Sequence, residues 1–217
     1  MKLLNLKRVL CLSPHPDDVE YSMLGTIVKH QDTAFDVLCL SCGGAKGFDD
    51  TNKLNRREEV LNVWSSLKHN NYNNVTLSFA ECDYLEDKTE PGWINYIENE
   101  FINKQKYDAI FIPPEKDSMY EHRFVNKFGS ALIRKDAISL IEYHTVSTLN
   151  CWKPNVFIDI NKVYDSKLNA LNKFVSQIDK SYFTEDTLDS FHSNFQCRKR
   201  GIKTIEQFKL IELFNTK

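Results

Sequence analysis

RVLCLSPHPDD, residues 8–18, decides how the chain is read. RVLCLS is an unbroken apolar run of the kind that forms a strand buried on both faces. The chain then passes at once into an imidazole and two adjacent carboxylates, His15, Asp17 and Asp18. Neighbouring carboxylates repel each other and lose hydration, so a purely structural turn needs no more than one Asp or a Gly. An Asp-capped helix start accounts for one of them. A bound cation would account for both.

Working outward, apolar runs recur at 35–42 (FDVLCLSC), 74–79 (NVTLSF) and 107–113 (YDAIFIP), with helical spacing between them at 18–30, 55–68 and 92–105. Strands alternating with helices in this way predict an α/β fold, a Rossmann-like, mostly parallel sheet with helices on both faces. Further on come SLIEYHTV and NVFIDI, then helices expected near 162–178 and 204–214. The whole, residues 1–217, is expected to form one domain. In such open sheets ligands sit beyond the carboxyl ends of the strands. The residues to inspect are therefore His15, Asp17 and Asp18, the GGAKG of 43–47, Asp83, and Asp117 to His122.

A dinucleotide is excluded at the first turn, which lacks GxGxxG and whose carboxylates repel a pyrophosphate. Imidazole with carboxylate suits zinc or another divalent first-row metal, and a catalytic site of that kind uses three protein ligands with one position open. His15 and Asp18 supply two, and His122, opening a helix after the fourth strand, is the candidate third.

Composition bounds the partners. The chain has 217 residues with 28 basic and 30 acidic side chains, a formal net charge of −2, which gives no global attraction to nucleic acid or an anionic membrane. No segment is apolar for long enough to span a bilayer, and the start does not read as a signal peptide, so a cytoplasmic protein is expected. A small-molecule substrate is expected, and self-association is left open. Cys39 and Cys42 form a lone CxxC at the end of an apolar strand; without a second pair they read as buried, reduced thiols.

The motifs together resemble the PIG-L and LmbE-like deacetylases, zinc enzymes that remove the acetyl group from N-acetylglucosamine in sugar conjugates. PHPDDVEYSMLGTI is similar to the family's HPDD helix opening, and GGAKG followed by RREEVLNVWSSL to its glycine turn and Arg-x-x-Glu helix, with Arg56 and Glu59 at the matching places. DSMYEHR is similar to Asp-x-His-x-Asp-His-Arg, and PNVFIDI, KLNALNKFVSQ and IEQF to the second half. The resemblance implies His15, Asp18 and His122 as metal ligands, Asp17 as general base, and Arg56 as a substrate-holding residue. Glu121, in the place of the family's Asp, is expected to orient His122 from outside the ligand set.

One departure bears on mechanism. Met119 stands where the family has the His that stabilises the oxyanion, and a thioether has no proton to give. Either another group such as His144, Tyr120 or Arg123 takes that role, with Arg123 also a candidate for holding substrate, or the substrate has an easier leaving group. The alternative is a metal-holding homologue that binds a sugar conjugate without efficient turnover. The basic run CRKRGIK, 197–203, reads as a solvated helix edge, or more sharply as a grip on a substrate phosphate.

Overall fold

A computed structural model of the chain describes residues 6–42, 53–68, 72–134, 136 and 138–214. The GGAKG turn at 43–47 lies outside the described residues. The chain forms strands β1 (Arg8–Ser13), β2 (Ala34–Cys39), β3 (Val75–Phe79), β4 (Ala109–Ile112), β5 (Ser139–Tyr143), β6 (Val156–Asp159) and β7 (Ile205–Glu212). They make one sheet in the order β3-β2-β1-β4-β5-β7-β6. The first five pair in parallel, and β7 runs antiparallel between β5 and β6.

Helices α1 (Asp18–Lys29), α2 (Lys53–Lys68), α3 (Glu90–Ile97), α4 (Tyr120–Ala131), α5 (Tyr164–Leu171), α6 (Glu185–Phe191) and α7 (Phe195–Arg198) connect the strands. One apolar cluster includes Val9, Ile27, Phe35, Val63 and Phe208, and the other Leu10, Leu38, Trp93, Ile110 and Phe128. Residues 9 and 10 are consecutive on β1, so their side chains leave on opposite faces and the two clusters lie on the two sides of the sheet.

Two expectations near the C-terminus are corrected. Residues 204–214 are not a helix: Ile205–Glu212 is strand β7, with Ile205, Glu206 and Phe208 all buried. The expected helix over 162–178 is shorter, since α5 ends at Leu171 and a separate 3₁₀ turn covers Val175–Gln177. Over 92–105 the helical stretch is α3 continued by a π turn at Glu98–Ile102.

A buried ion pair joins β7 and α5 to α1. Lys167 Nζ lies 2.5 Å from Glu206 Oε1 with both side chains fully buried, and Lys167 also donates to the Tyr21 carbonyl at 2.5 Å. Glu206 accepts from the backbone N–H groups of Gly25 at 2.8 Å and Thr26 at 2.6 Å. A Cβ at position 25 would stand 3.0 Å from Glu206 Oε1 and from Ile160, so a larger residue there would have to push one of them back. The pair fixes the second and third turns of the helix whose first turn carries the two aspartates.

Candidate metal centre and cavity

The strands β1, β4 and β5 are parallel neighbours, so their carboxyl ends lie along the same edge of the sheet. From β1 the chain makes a tight turn in which the Asp17 N–H donates to the His15 carbonyl at 3.0 Å, and α1 begins at Asp18. Asp17 occupies the helix N-cap position, yet its side chain makes no capping hydrogen bond. Its Oδ2 instead accepts from Arg56 on α2 at 2.7 Å. Capping therefore does not account for this carboxylate.

Asp18 turns the other way. Its Oδ2 accepts from the His15 backbone N–H at 2.9 Å and lies 3.2 Å from His15 Nδ1, while its Oδ1 lies 3.2 Å from His122 Nε2. His122 enters from the first turn of α4 and is fully buried. Its Nδ1 donates to Asp117 Oδ2 at 3.0 Å, and Ser147 Oγ lies 3.2 Å from the same nitrogen. Asp117 is held by Thr145 Oγ1 at 2.5 Å and by the Met119 N–H at 2.8 Å.

These residues fit a divalent metal. His15, Asp18 and His122 each offer a ligand atom, and all three atoms lie within 4.8 Å of one another. His122 Nε2 is buried with no hydrogen bond of good geometry, facing Asp18 without being satisfied by it. The Asp117 contact on Nδ1 leaves the Nε2 lone pair as the free ligating site, the usual carboxylate–histidine arrangement behind a metal. Electrostatics agree. Burial alone would lower the His122 imidazole, but the Asp18 and Asp117 carboxylates reverse this and raise it to about 10. Burial pushes Asp18 up, and the two imidazoles overcome it, holding it well below the usual carboxylate range. The carboxylates around His122 thus favour positive charge at this place.

Asp17 differs from its neighbour. Burial raises its carboxyl, with Arg56 opposing only part of the rise. Two adjacent carboxylates are thereby set apart, one committed to the imidazoles and one raised in pKa beside a cavity. That cavity has a volume of about 440 Å³, and its wall includes His15, Asp17, Asp18, Arg56, Met119 and Glu121. Its far wall comes from a segment after α5 that carries Gln177, Lys180, Tyr182 and Phe183. Glu59 on α2 secures that segment by accepting from the Ser176 N–H and hydroxyl, both at 2.7 Å, and Tyr21 secures it by donating to the Tyr182 carbonyl at 2.6 Å.

Residues 10–133 match the family described as PIG-L: GlcNAc-PI de-N-acetylase, more than half of the chain. The chain belongs to the PIG-L family. It is 26% identical over 193 residues to the diacetylchitobiose deacetylase of Thermococcus kodakarensis, covering 80% of this chain and 71% of the relative. It is also 26% identical over 238 aligned positions to a Bacillus cereus protein named as a probable N-acetyl-alpha-D-glucosaminyl L-malate deacetylase, covering 97% and 98%. Among solved structures, the 4-carboxy-2-hydroxymuconate hydratase GalB of Pseudomonas putida superposes with a TM-score of 0.74 at 17% identity, covering 97% of this chain and 98% of that one. At that identity the likeness establishes the fold alone.

Against this PIG-L background four expectations change. Glu121 does not hold His122; Asp117 does. On a helix adjacent residues project about 100° apart, so Glu121 faces the cavity while His122 faces inward. Arg123 is turned away for the same reason, and its NH1 donates to the carbonyls of Asp117 at 2.7 Å and Ser118 at 2.8 Å, clasping the loop. His144 is stacked between Trp152 and Phe191, with ring centroids 5.2 and 4.3 Å away, and is not on the cavity wall. Tyr120 is exposed and stacked on Phe124. None of the three expected replacements for the family's His therefore stands at the cavity, which Met119 itself lines.

The basic run at 197–203 lies at the exposed end of α7 and the turn after it, away from the cavity. Cys39 and Cys42 are both buried. Among the described residues no helix is long and apolar enough to cross a membrane.

Proposed function

We propose that the chain is a metal-dependent hydrolase that removes the N-acetyl group from an N-acetylglucosamine-type sugar conjugate. The observation that carries this reading is the division of labour between Asp17 and Asp18. Asp18 lies against His15 and His122, whereas Asp17 faces the cavity with its pKa raised. The family and the names of both sequence relatives support the reading, and neither name supports the alternative of a binding protein without turnover.

His15, Asp18 and His122 would hold the ion, zinc or another divalent first-row metal, with Asp117 fixing the His122 tautomer. When bound, such an ion supplies Lewis acidity, which makes water nucleophilic near neutral pH and polarises an amide carbonyl. Asp17 accepts the proton of the attacking water and returns it to the departing amine, work suited to a carboxylate whose pKa burial has raised. Arg56 orients Asp17 and presents a positive charge at the cavity wall, so it takes on the anion-stabilising duty that Met119 cannot perform. The segment bearing Gln177, Lys180 and Tyr182 contacts the rest of the conjugate. The fold is shared with a hydratase, so the reaction type rests on the site and on the sequence relatives.

The test is release of free amine and acetate from N,N'-diacetylchitobiose and N-acetylglucosaminyl malate by metal-loaded protein. Stoichiometric release abolished by a chelator and restored by metal is expected. Full metal occupancy with no release from either substrate or from other N-acetylglucosamine conjugates would overturn it.

A further inference from the structure

Away from the cavity, the loop after β3 carries a second reactive pair. Lys88 Nζ stands 2.8 Å from Cys82 Sγ. N–H···O hydrogen bonds span about 2.7–3.2 Å, and sulfur is the larger atom, so this is a close approach for nitrogen and sulfur. The loop builds it in. The Asp87 carboxylate accepts from the Tyr84 N–H at 3.1 Å, closing a turn, and the Trp93 indole donates to the Leu85 carbonyl at 2.8 Å. The Lys88 ammonium lies 5.3 Å from the Trp93 ring centroid and 5.4 Å from that of Tyr96, so two aromatic faces hold the amine over the thiol. Cys82 is 7% exposed and Lys88 is half-buried, so the pair is open to a small oxidant from one side.

The separation is that of two atoms joined through one shared neighbour. We propose that Cys82 and Lys88 are an oxidative modification site, at which hydrogen peroxide installs an N–O–S bridge. In the first step the Cys82 sulfur attacks peroxide, an S–O bond forms, the O–O bond breaks, and water leaves to give the sulfenic acid. The Lys88 ammonium gives a proton to solvent, and the resulting amine is converted by a second peroxide to its hydroxylamine, again releasing water. The hydroxylamine oxygen then attacks the sulfenic sulfur, whose hydroxyl departs with a proton as a third water. Thiol and amine have together gained one oxygen and lost two hydrogens. Two equivalents of a dithiol return the thiol and the amine, with the bridging oxygen leaving as water.

The bridge is connected to the rest of the molecule. The Asp83 carbonyl accepts from the Cys42 N–H at 3.0 Å, and Ser41 donates to the Pro14 carbonyl at 2.8 Å. Locking Cys82 to Lys88 therefore stiffens a loop that is hydrogen-bonded, through two neighbouring residues, to the turn carrying His15.

Peptide mapping of the full chain before and after hydrogen peroxide tests the proposal. The expected product is a peptide pair joined at Cys82 and Lys88, heavier than its parts by one oxygen less two hydrogens, and separated again by dithiothreitol. Cys82→Ser and Lys88→Arg should each lose it completely, the second while keeping a cation over the aromatic rings. Cys82 recovered as sulfinic or sulfonic acid with Lys88 unmodified, a Cys42–Cys82 disulfide, a direct S–N link without the added oxygen, or an unreacted Cys82 would each overturn it.

Discussion

Asp117 Oδ2 accepts a hydrogen bond from His122 Nδ1 at 3.0 Å, and both side chains are buried. This one contact fixes which nitrogen of His122 faces Asp18. Asp117→Ala should weaken zinc affinity about 10–100-fold, the usual effect of losing a partner behind a metal-binding histidine. Glu121→Gln, on the cavity wall, should leave affinity within about twofold if the contact is as assigned. Competition titration with a chromophoric chelator measures both. Equal losses in the two variants would count against the assignment.

Met119 lines the cavity at a place where a proton donor is expected from the family resemblance. Met119→His should raise kcat on a simple N-acetylglucosamine conjugate by about tenfold or more, with little change in KM, because a donor there acts on charge that develops in the transition state. Steady-state kinetics at matched metal content read this. An unchanged or lower kcat would mean that Arg56 already supplies all the stabilisation the position can give.

Burial lowers the His144 imidazole to about 4, against an ordinary value of 6.5. The unfolded chain therefore binds the extra proton between those values, so this group's contribution is complete above about 6.5 and is lost as pH falls toward about 4. His144→Phe keeps an aromatic ring between Trp152 and Phe191 without the titration. The stability difference between wild type and variant should shift in the variant's favour by up to about 1.4 kcal/mol per pH unit on acidification through that window. Urea unfolding at a series of pH values measures it, and a constant difference would show that His144 keeps its ordinary pKa.

Lys167→Met should destabilise the fold by about 3–5 kcal/mol, because it strands Glu206 as a buried charge. Lys167→Met with Glu206→Gln should recover a large part of that loss. Denaturant midpoints compare the three, and a mild single variant would mean that Glu206 takes up a proton at little cost.

Much of the site was legible because it follows strands that announce themselves. The runs at 8–13, 35–42 and 107–113 are close to continuous and apolar, as strands buried on both faces must be, and they lie over β1, β2 and β4, while the mixed run at 74–79 lies over the partly buried edge strand β3. Strand β7 was not legible. Ile205, Phe208 and Ile211 are spaced three apart and imitate one face of a helix, while Glu206 reads as a surface charge. The sequence nowhere states that Lys167, 39 residues earlier, neutralises it. Asp117 was visible as a strand-end carboxylate, yet its role was given to Glu121. Helical geometry separates: it turns neighbours 121 and 122 to different faces, and it leaves the residue five positions before His122 free to reach back to the ring.

The central claim is that adjacent carboxylates have different duties, Asp18 holding the ion and Asp17 moving the proton. Metal content and amide-hydrolysis rate of Asp17→Asn and Asp18→Asn, each loaded with zinc and dialysed, test it most directly. Asp17→Asn should keep about one ion per chain and lose at least about 10²-fold in kcat, while Asp18→Asn loses the ion itself. An Asp17→Asn protein that sheds its metal as readily as Asp18→Asn, or one that keeps both metal and full turnover, would contradict the account.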